Sequence, residues 1–244
     1  MKGLIIILLA SVALFGCLEN NTNSKSDAEV NEEGQIVQGE VVYSVEFPYI
    51  NDPTLIKWFP TEYTTKFNKN EIYGEMNSRM NVITNRFYSN QEAFELKQTL
   101  ENMSGNYLSE LTAEDVNSMV NQMPDMIISE PHGDTSIVGL KCKIAFAEFK
   151  IDSVPPVILY YTEEIKVNSP NWFNQFRGFD KFLLGYEIEQ FGMRMKLMAK
   201  ELKKGEPDIR LEQIYASKEK EAYTSLSGSE LKSTFNQMLV DFMQ

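Results

Sequence analysis

The chain has 244 residues, a formal net charge of −12 and a hydrophobic content of 43%. This composition is typical of a packed globular protein rather than of a disordered chain. The negative charge argues against a nucleic-acid partner, and against adhesion to anionic lipid headgroups, because both need clustered Lys and Arg side chains.

The start of the chain is predicted to be a bacterial lipoprotein signal. Lys2 supplies a positive charge, and residues 4–15 form an apolar run that is too short to span a bilayer permanently. The Leu-Phe-Gly-Cys sequence that ends at Cys17 resembles a lipobox, in which the cysteine is acylated, for example with palmitate. An ordinary secretory signal with a chance cysteine is the alternative. We expect a signal peptide over residues 1–16 and membrane attachment through acyl chains on Cys17.

Residues 17–36 are predicted to form a disordered tether, because they are acidic, rich in Asn and nearly devoid of apolar side chains. A flexible segment of this length has a root-mean-square reach on the order of 25 Å, enough to hold a domain clear of the headgroups. Residues 37–244 contain no internal repeat and no second break in composition. They are therefore predicted to form a single domain.

Alternation of apolar and polar residues predicts strands from residue 39 onward. The pattern occurs at residues 41–47, 94–100, 140–146, 157–161, 182–188, 193–199 and 209–211. Residues 190–192 are short enough for a hairpin turn between two of these strands. Alternation with short connections indicates an antiparallel sheet with one apolar face and one wetter face.

Four helices are predicted from capping residues and one-sided apolar stripes. They are expected near residues 52–60, 112–124, 169–176 and 227–242. Thr112 with Asp115 caps the second helix, and Ser227 with Glu230 caps the fourth. Each helix should lie against the sheet, so the sequence predicts an α+β fold.

No catalytic motif is present: the sequence lacks a phosphate-binding loop, a dinucleotide-binding turn, a metalloprotease helix and a nucleophile elbow. The single histidine, His132, has no second ligand at metal-binding spacing, which favours an exposed turn residue. The carboxylate pairs Glu32–Glu33 and Glu163–Glu164 favour solvated surface, although carboxylate catalysis stays open because it depends on spatial separation. We expect a non-enzymatic protein with no metal and no other cofactor.

The second cysteine, Cys142, has no disulfide partner if Cys17 carries lipid. Alternation along residues 140–146 points its side chain towards the core. No histidine lies nearby in sequence to activate the thiol. We therefore interpret Cys142 as a buried structural thiol rather than a nucleophile.

Two blocks of sequence resemble envelope proteins of Bacteroidetes. Residues 111–128 lead into residues 134–145, which resemble a "T-x-x-I-x-G-Y/F-x-C-x-K" strand. Residues 160–165 and 172–188 resemble a "W-Y-T-x-E-I … G-x-P-G-x-L-x-x-E" region. The proteins that carry these patterns include the GLPGLI group and a related family of lipoproteins, and the similarity spans roughly residues 39–200.

This resemblance implies the fold of the lipoprotein carriers LolA and LolB. That fold is a curved antiparallel β-sheet, a half-barrel, with helices packed on its concave face. The carriers hold acyl chains between sheet and helices, so the resemblance implies a possible hydrophobic-ligand site here. The residues expected to line such a site are Tyr43, Val45, Phe182, Leu184, Tyr186, Met193, Met195 and Leu197.

The favoured functional hypothesis is a non-enzymatic, lipid-anchored lipoprotein that scaffolds or docks an envelope protein partner at the outer membrane. The tether would raise the local concentration of the domain near such partners. Leu18 follows the acylated cysteine where an Asp would signal retention, which favours the outer membrane and leaves the periplasmic or surface face open. The alternative is a module that binds or carries an acyl chain or lipid, unless the apolar residues form a dry packed core.

Overall fold

A computed structural model describes residues 34–50, 56–79, 82–123, 125–150, 156–190, 193–215, 219–231, 233–234 and 237. The predicted signal peptide, Cys17 and the tether up to residue 33 lie outside this part of the chain. Ile36, at the end of the predicted tether, is buried and forms a parallel bridge with Ile165. Ile36 therefore packs with the domain.

Within the described ranges the chain forms thirteen strands and a nine-residue α-helix. The strands before the helix are β1 (Gly39–Ile50), β2 (Glu62–Phe67), β3 (Glu71–Asn77), β4 (Ile83–Asn90), β5 (Glu95–Asn102) and β6 (Gly105–Leu111). Helix α1 (Ala113–Asn121) is followed by β7 (Met126–Ile128), β8 (Gly133–Ile137), β9 (Leu140–Phe149), β10 (Val157–Thr162), β11 (Phe182–Gln190), β12 (Met193–Lys204) and β13 (Thr224–Ser225). Short 3-10 helices cover Leu211–Tyr215 and Lys220–Ala222, and helical residues begin again at 228.

All thirteen strands belong to one sheet, in the order β13-β6-β5-β4-β3-β2-β1-β12-β11-β10-β9-β7, with β8 also paired to β9. Every pairing is antiparallel except that of β13 with β6. The predicted sheet is thus confirmed in outline as a large, open, mixed sheet accompanied by few helices.

Strand register assigns side chains to the two faces of the sheet, because directly paired residues stand on the same side. Tyr43 pairs with Tyr63, and Leu197 pairs with both Val45 and Tyr186. We call the side that carries these residues the tyrosine face. Arg86 stands on the other side of the sheet, the opposite face.

Six of the seven predicted strand segments lie in or overlap strands of the sheet, and the predicted hairpin is formed by β11 and β12. The prediction of a strand at residues 209–211 is wrong. Residues 206–210 are irregular, and a 3-10 helix begins at Leu211. This helix buries Ile214 completely, and the Ile214 carbonyl accepts a 3.0 Å hydrogen bond from the Thr99 hydroxyl. Tertiary packing therefore overrides the local alternation.

The capping prediction for α1 is confirmed, because the Thr112 side chain accepts from the Asp115 amide and Asp115 bonds back to Thr112. Ser227 and Glu230 make the same reciprocal bonds ahead of the helical residues that begin at 228. Of the first predicted helix, residues 56–57 form a 3-10 turn, residues 58–60 are not helical, and residues 51–55 lie outside the description. No helix in the described part of the chain has the length and hydropathy needed to span a bilayer.

The helix predicted at residues 169–176 is wrong, since this segment is a series of turns. Amide-to-carbonyl bonds of the i to i−3 type link Trp172 to Ser169 and Asn174 to Asn171. The Asn171 side chain donates to the carbonyls of residues 179 and 181, and the Asn174 side chain accepts from the Phe176 amide. Such side-chain bonds to the backbone compete with helical hydrogen bonding.

Candidate functional site

Seven of the eight predicted lining residues have described side chains, and the structure brings these seven together. Tyr43, Val45, Phe182, Leu184, Met195 and Leu197 are buried in one apolar cluster. Tyr186 is half-buried and packs against that cluster. The strand position of Met193 is known, but its side chain lies outside the described part.

A row of aromatic rings crosses the middle of the tyrosine face. The ring centroids of Phe87 and Tyr63 are 6.4 Å apart, those of Tyr63 and Tyr43 are 5.6 Å apart, and those of Tyr43 and Tyr186 are 6.1 Å apart. Gly74 leaves room for this row, because a Cβ atom there would lie 2.2 Å from Phe87 and 2.6 Å from the Tyr63 hydroxyl. Four strands thus contribute rings to one continuous apolar surface.

Several members of this surface remain partly accessible although they pack against the buried cluster. They are Phe47, Tyr63, Met76, Phe87, Tyr186 and Ile188. Burial nevertheless raises the pKa of Tyr43, Tyr63 and Tyr186, so all three phenols are neutral at physiological pH. The Tyr43 hydroxyl donates a 2.8 Å hydrogen bond to the Leu183 carbonyl. The surface is therefore apolar and uncharged, and several of its side chains keep some solvent-accessible area.

Residues 168–181, which we call the strap, lie across this face. Phe173 packs on Phe87 with centroids 5.2 Å apart, and Phe176 packs on Tyr186 with centroids 5.7 Å apart. The Trp172 indole N–H donates to the Ser89 hydroxyl over 2.8 Å. The strap thus spans the sheet from β4 to β11.

Two other elements pack on the same face. Val116 and Val120 of α1 form a buried cluster with Leu96 of β5. Leu231, in the helical residues after 228, is buried with Leu100 of β5 and with Ile83 of β4. The aromatic row therefore lies among three covering elements.

The opposite face carries a charged network that sequence patterns did not indicate. The Arg86 guanidinium bonds the Glu75 carboxylate at 2.8 Å and the Glu101 carboxylate at 2.6 Å. Burial alone would raise the pKa of Glu75, but hydrogen bonds from Tyr73, Asn77 and Arg86 lower it. A carboxylate held ionised in this way is not poised as a general acid, so we interpret the network as structural.

A cavity of about 630 Å³ opens at the rim of the sheet, near the first residues that the structure describes. Its lining combines apolar and charged residues at positions 37–38, 68–69, 162–163, 165–168 and 180–182. Glu163, from one of the predicted surface pairs, is exposed and bonds Lys143 and Lys181 at 3.0 and 3.2 Å. Glu164 accepts a hydrogen bond from the Lys141 amide, and the other pair, Glu32–Glu33, lies outside the description.

His132 and Cys142 have the environments expected from sequence. His132 is exposed, and its ring lies edge-on to Phe146. Cys142 is buried and free of any disulfide, and burial raises the pKa of its thiol. Within the described ranges, no three His, Cys, Asp or Glu side chains converge to hold a metal ion.

Comparison of the chain with models of known protein families gives no match, and comparison with curated proteins gives none either.

Proposed function

We propose that the chain is a lipid-anchored lipoprotein of the bacterial cell envelope, attached at the outer membrane through Cys17. Its domain is a non-enzymatic module with a curved, LolA/LolB-like sheet, and it binds a hydrophobic ligand between the tyrosine face and the elements over it. An acyl chain or a lipid fits this chemistry. The arrangement of α1 and the strap on a single face of the sheet supports this fold.

The observation that carries the ligand proposal is the partial accessibility of the central aromatic row. Protein cores are packed to crystal-like density, so rings in the middle of a covered sheet face are normally fully buried. Phe87 and Tyr186 instead keep accessible surface although the strap packs on them, and so does Tyr63 between them. An apolar chain laid along these rings would remove that surface from water, which is favourable.

Met76 and Ile188 extend the same surface with flexible and branched aliphatic side chains. Methionine adapts its shape to different apolar ligands because it is unbranched and polarisable. The neutral phenols add no charge that an acyl chain would have to desolvate. These features favour binding by shape and apolar contact rather than by ion pairing.

The function as a docking protein is supported by a different surface. Ile127 of β7 and Ile158 of β10 are 56% and 39% exposed, and Phe146 of β9 pairs with Ile158. Exposed apolar side chains on neighbouring strands are a common feature of protein–protein contact sites. Docking through these strands remains the second candidate.

Native mass spectrometry of residues 18–244, purified from a bacterial host, tests the ligand proposal. We expect a copurified mass of several hundred daltons that organic solvent releases and that is identified as lipid. Met76→Trp should reduce its occupancy by filling the space beside the aromatic row. Ile158→Trp, the same enlargement at an exposed site, should not. A clean apo mass that survives incubation with fatty acids and phospholipids would contradict ligand binding and favour docking.

The anchor is tested by Cys17→Ser. We expect this variant to lose acylation and to appear in the soluble fraction or as the uncleaved precursor, because the acyl chains supply the membrane attachment. Intact mass and membrane fractionation measure both effects, with Cys142→Ser as the matched cysteine control. Membrane retention of Cys17→Ser with an unchanged mass would disprove lipidation at this residue.

A further inference from the structure

The rim cavity contains two lysines without a carboxylate partner among the residues that the structure describes. Lys69 and Lys166 both line it, and neither makes an ion pair with a described acidic group. In a chain with a net charge of −12, two such cations on one cavity are a local reversal of the overall charge. This reversal indicates a preference for an anion.

The lining carries three lysines, Lys69, Lys166 and Lys181, against the two carboxylates of Glu163 and Asp180, so its charge balance is positive. Glu163 is held by Lys143 and Lys181, and the lysine contacts lower the pKa of this carboxylate. Asp180 accepts a 3.1 Å hydrogen bond from the Ser169 amide. The lining therefore keeps an excess of one positive charge, and neither Lys69 nor Lys166 is held in an ion pair with a described residue.

Backbone hydrogen bonds fix the two segments that carry these lysines. The Asn168 amide donates to the Lys69 carbonyl over 2.7 Å, and the Asn168 side chain donates to Asn70 over the same distance. The Lys166 amide donates to the Ile36 carbonyl over 2.8 Å. The backbone positions of both lysines are thus fixed before binding, which lowers the entropy lost when a ligand binds.

We propose that this cavity binds a phosphate group. Lysine ammonium groups bind phosphate as point charges, and the volume of about 630 Å³ exceeds the space that a bare ion requires. Ile165, Val167 and Phe182 also line the cavity, but they are buried in the core cluster and add little accessible apolar surface. The site lies at the rim and shares only Phe182 with the predicted ligand-lining set, so it goes beyond the proposed function and does not depend on it.

The same chemistry has two sources, a lipid headgroup or a free phosphate ester. Val37 and Gln38 line the cavity immediately after the predicted tether. Because such a tether is flexible, the domain could also approach the headgroups, whereas a soluble ester would arrive by diffusion.

Isothermal titration calorimetry of the full lipidated chain in dodecyl maltoside tests the proposal. The probes are inorganic phosphate, glycerol 3-phosphate and short-chain dihexanoyl phosphatidic acid. We expect saturable binding that weakens with added NaCl. Equal affinity for all three probes assigns the site to free phosphate esters, and tighter binding of phosphatidic acid assigns it to a headgroup.

Lys69→Gln and Lys166→Gln are each expected to weaken binding about tenfold, because a hydrogen bond to a charged group is worth more than a neutral one. Lys204→Gln is the matched control, since Lys204 is exposed and lies outside the cavity lining. Unchanged far-UV circular dichroism and melting temperature verify folding of each variant. The proposal is overturned if the wild-type protein binds none of the probes saturably, or if the cavity variants bind as tightly as Lys204→Gln.

Discussion

Replacement of Arg86 by methionine is expected to lower the free energy of unfolding by about 3 kcal/mol, because removal of one partner leaves the others buried and uncompensated. The Arg86 side chain is only 10% exposed, and the two carboxylates that it bridges, Glu75 and Glu101, are 31% and 14% exposed. Methionine retains much of the apolar stem of arginine but none of its donors. Urea denaturation of the wild-type and Arg86→Met proteins measures the difference.

The stability of the wild-type and Arg86→Met proteins should also differ in its dependence on pH. The folded-state pKa of Glu75 lies below its ordinary value of 4.5, so its contribution to stability is present above that value. This contribution is lost as the pH falls through the folded-state pKa. Arg86→Met should raise the pKa of Glu75 towards its ordinary value. Below about pH 4.5 the free energy of unfolding of this variant should therefore fall less steeply with decreasing pH than that of the wild-type protein.

Arg210→Met is the matched control for Arg86→Met. Arg210 pairs with Asp208 at 3.0 Å, but both side chains are more than 60% exposed. Exposed pairs contribute little to stability, so this variant should denature like the wild-type protein. Equal denaturation midpoints for Arg86→Met and Arg210→Met would show that the buried network does not stabilise the fold.

Replacement of Phe176 by alanine is expected to lower the free energy of unfolding by about 3 to 5 kcal/mol, the range for a buried Phe reduced to Ala. Phe176 is 1% exposed and packs on Tyr186 and within the cluster that contains Leu159 and Leu183. Its loss removes a main contact between the strap and the sheet. Thermal and urea denaturation measure the effect.

Phe94→Ala deletes the same atoms at a site that is 54% exposed. Its ring contacts Trp172 at 6.1 Å, also in the strap, so it tests whether an exposed contact matters as much as a buried one. We expect a change below about 1 kcal/mol. If Phe176→Ala and Phe94→Ala lowered the free energy of unfolding equally, Phe176 would not be the main anchor of the strap.

Local alternation of apolar and polar residues predicts many of the strands, but it does not predict β4 in the middle of the sheet. Along β4 the tyrosine face presents Ile83, Asn85, Phe87 and Ser89, which mix apolar and polar types. The other side carries Arg86, which is buried through its ion pairs rather than through hydrophobicity. A strand with polar residues buried on both faces has no apolar period of two, so β4 escapes detection.

The candidate site was predictable in part. The apolar residues of β1, β11 and β12 alternate clearly, and the structure places those with described side chains in one cluster. Tyr63 and Phe87 were missed because their position beside Tyr43 depends on register between strands that no local pattern encodes. The strap carries Trp172, Phe173 and Phe176 at helical spacing, but asparagine side chains bond its backbone into turns instead.

The central position of β1 has a consequence for the folding kinetics. Strands β1 to β6 pair with their sequence neighbours, so each addition closes only a short loop. The other edge of β1 pairs with β12, for example Val45 with Leu197, which lie far apart along the chain. Closure of such a long loop is entropically unfavourable before contacts form, and proteins rich in such pairings fold slowly. We therefore expect strands β1 to β6 to form early, and the pairing of β1 with β12 to be the late, rate-limiting step. Until β12 pairs with it, β1 is an exposed edge strand and prone to aggregation.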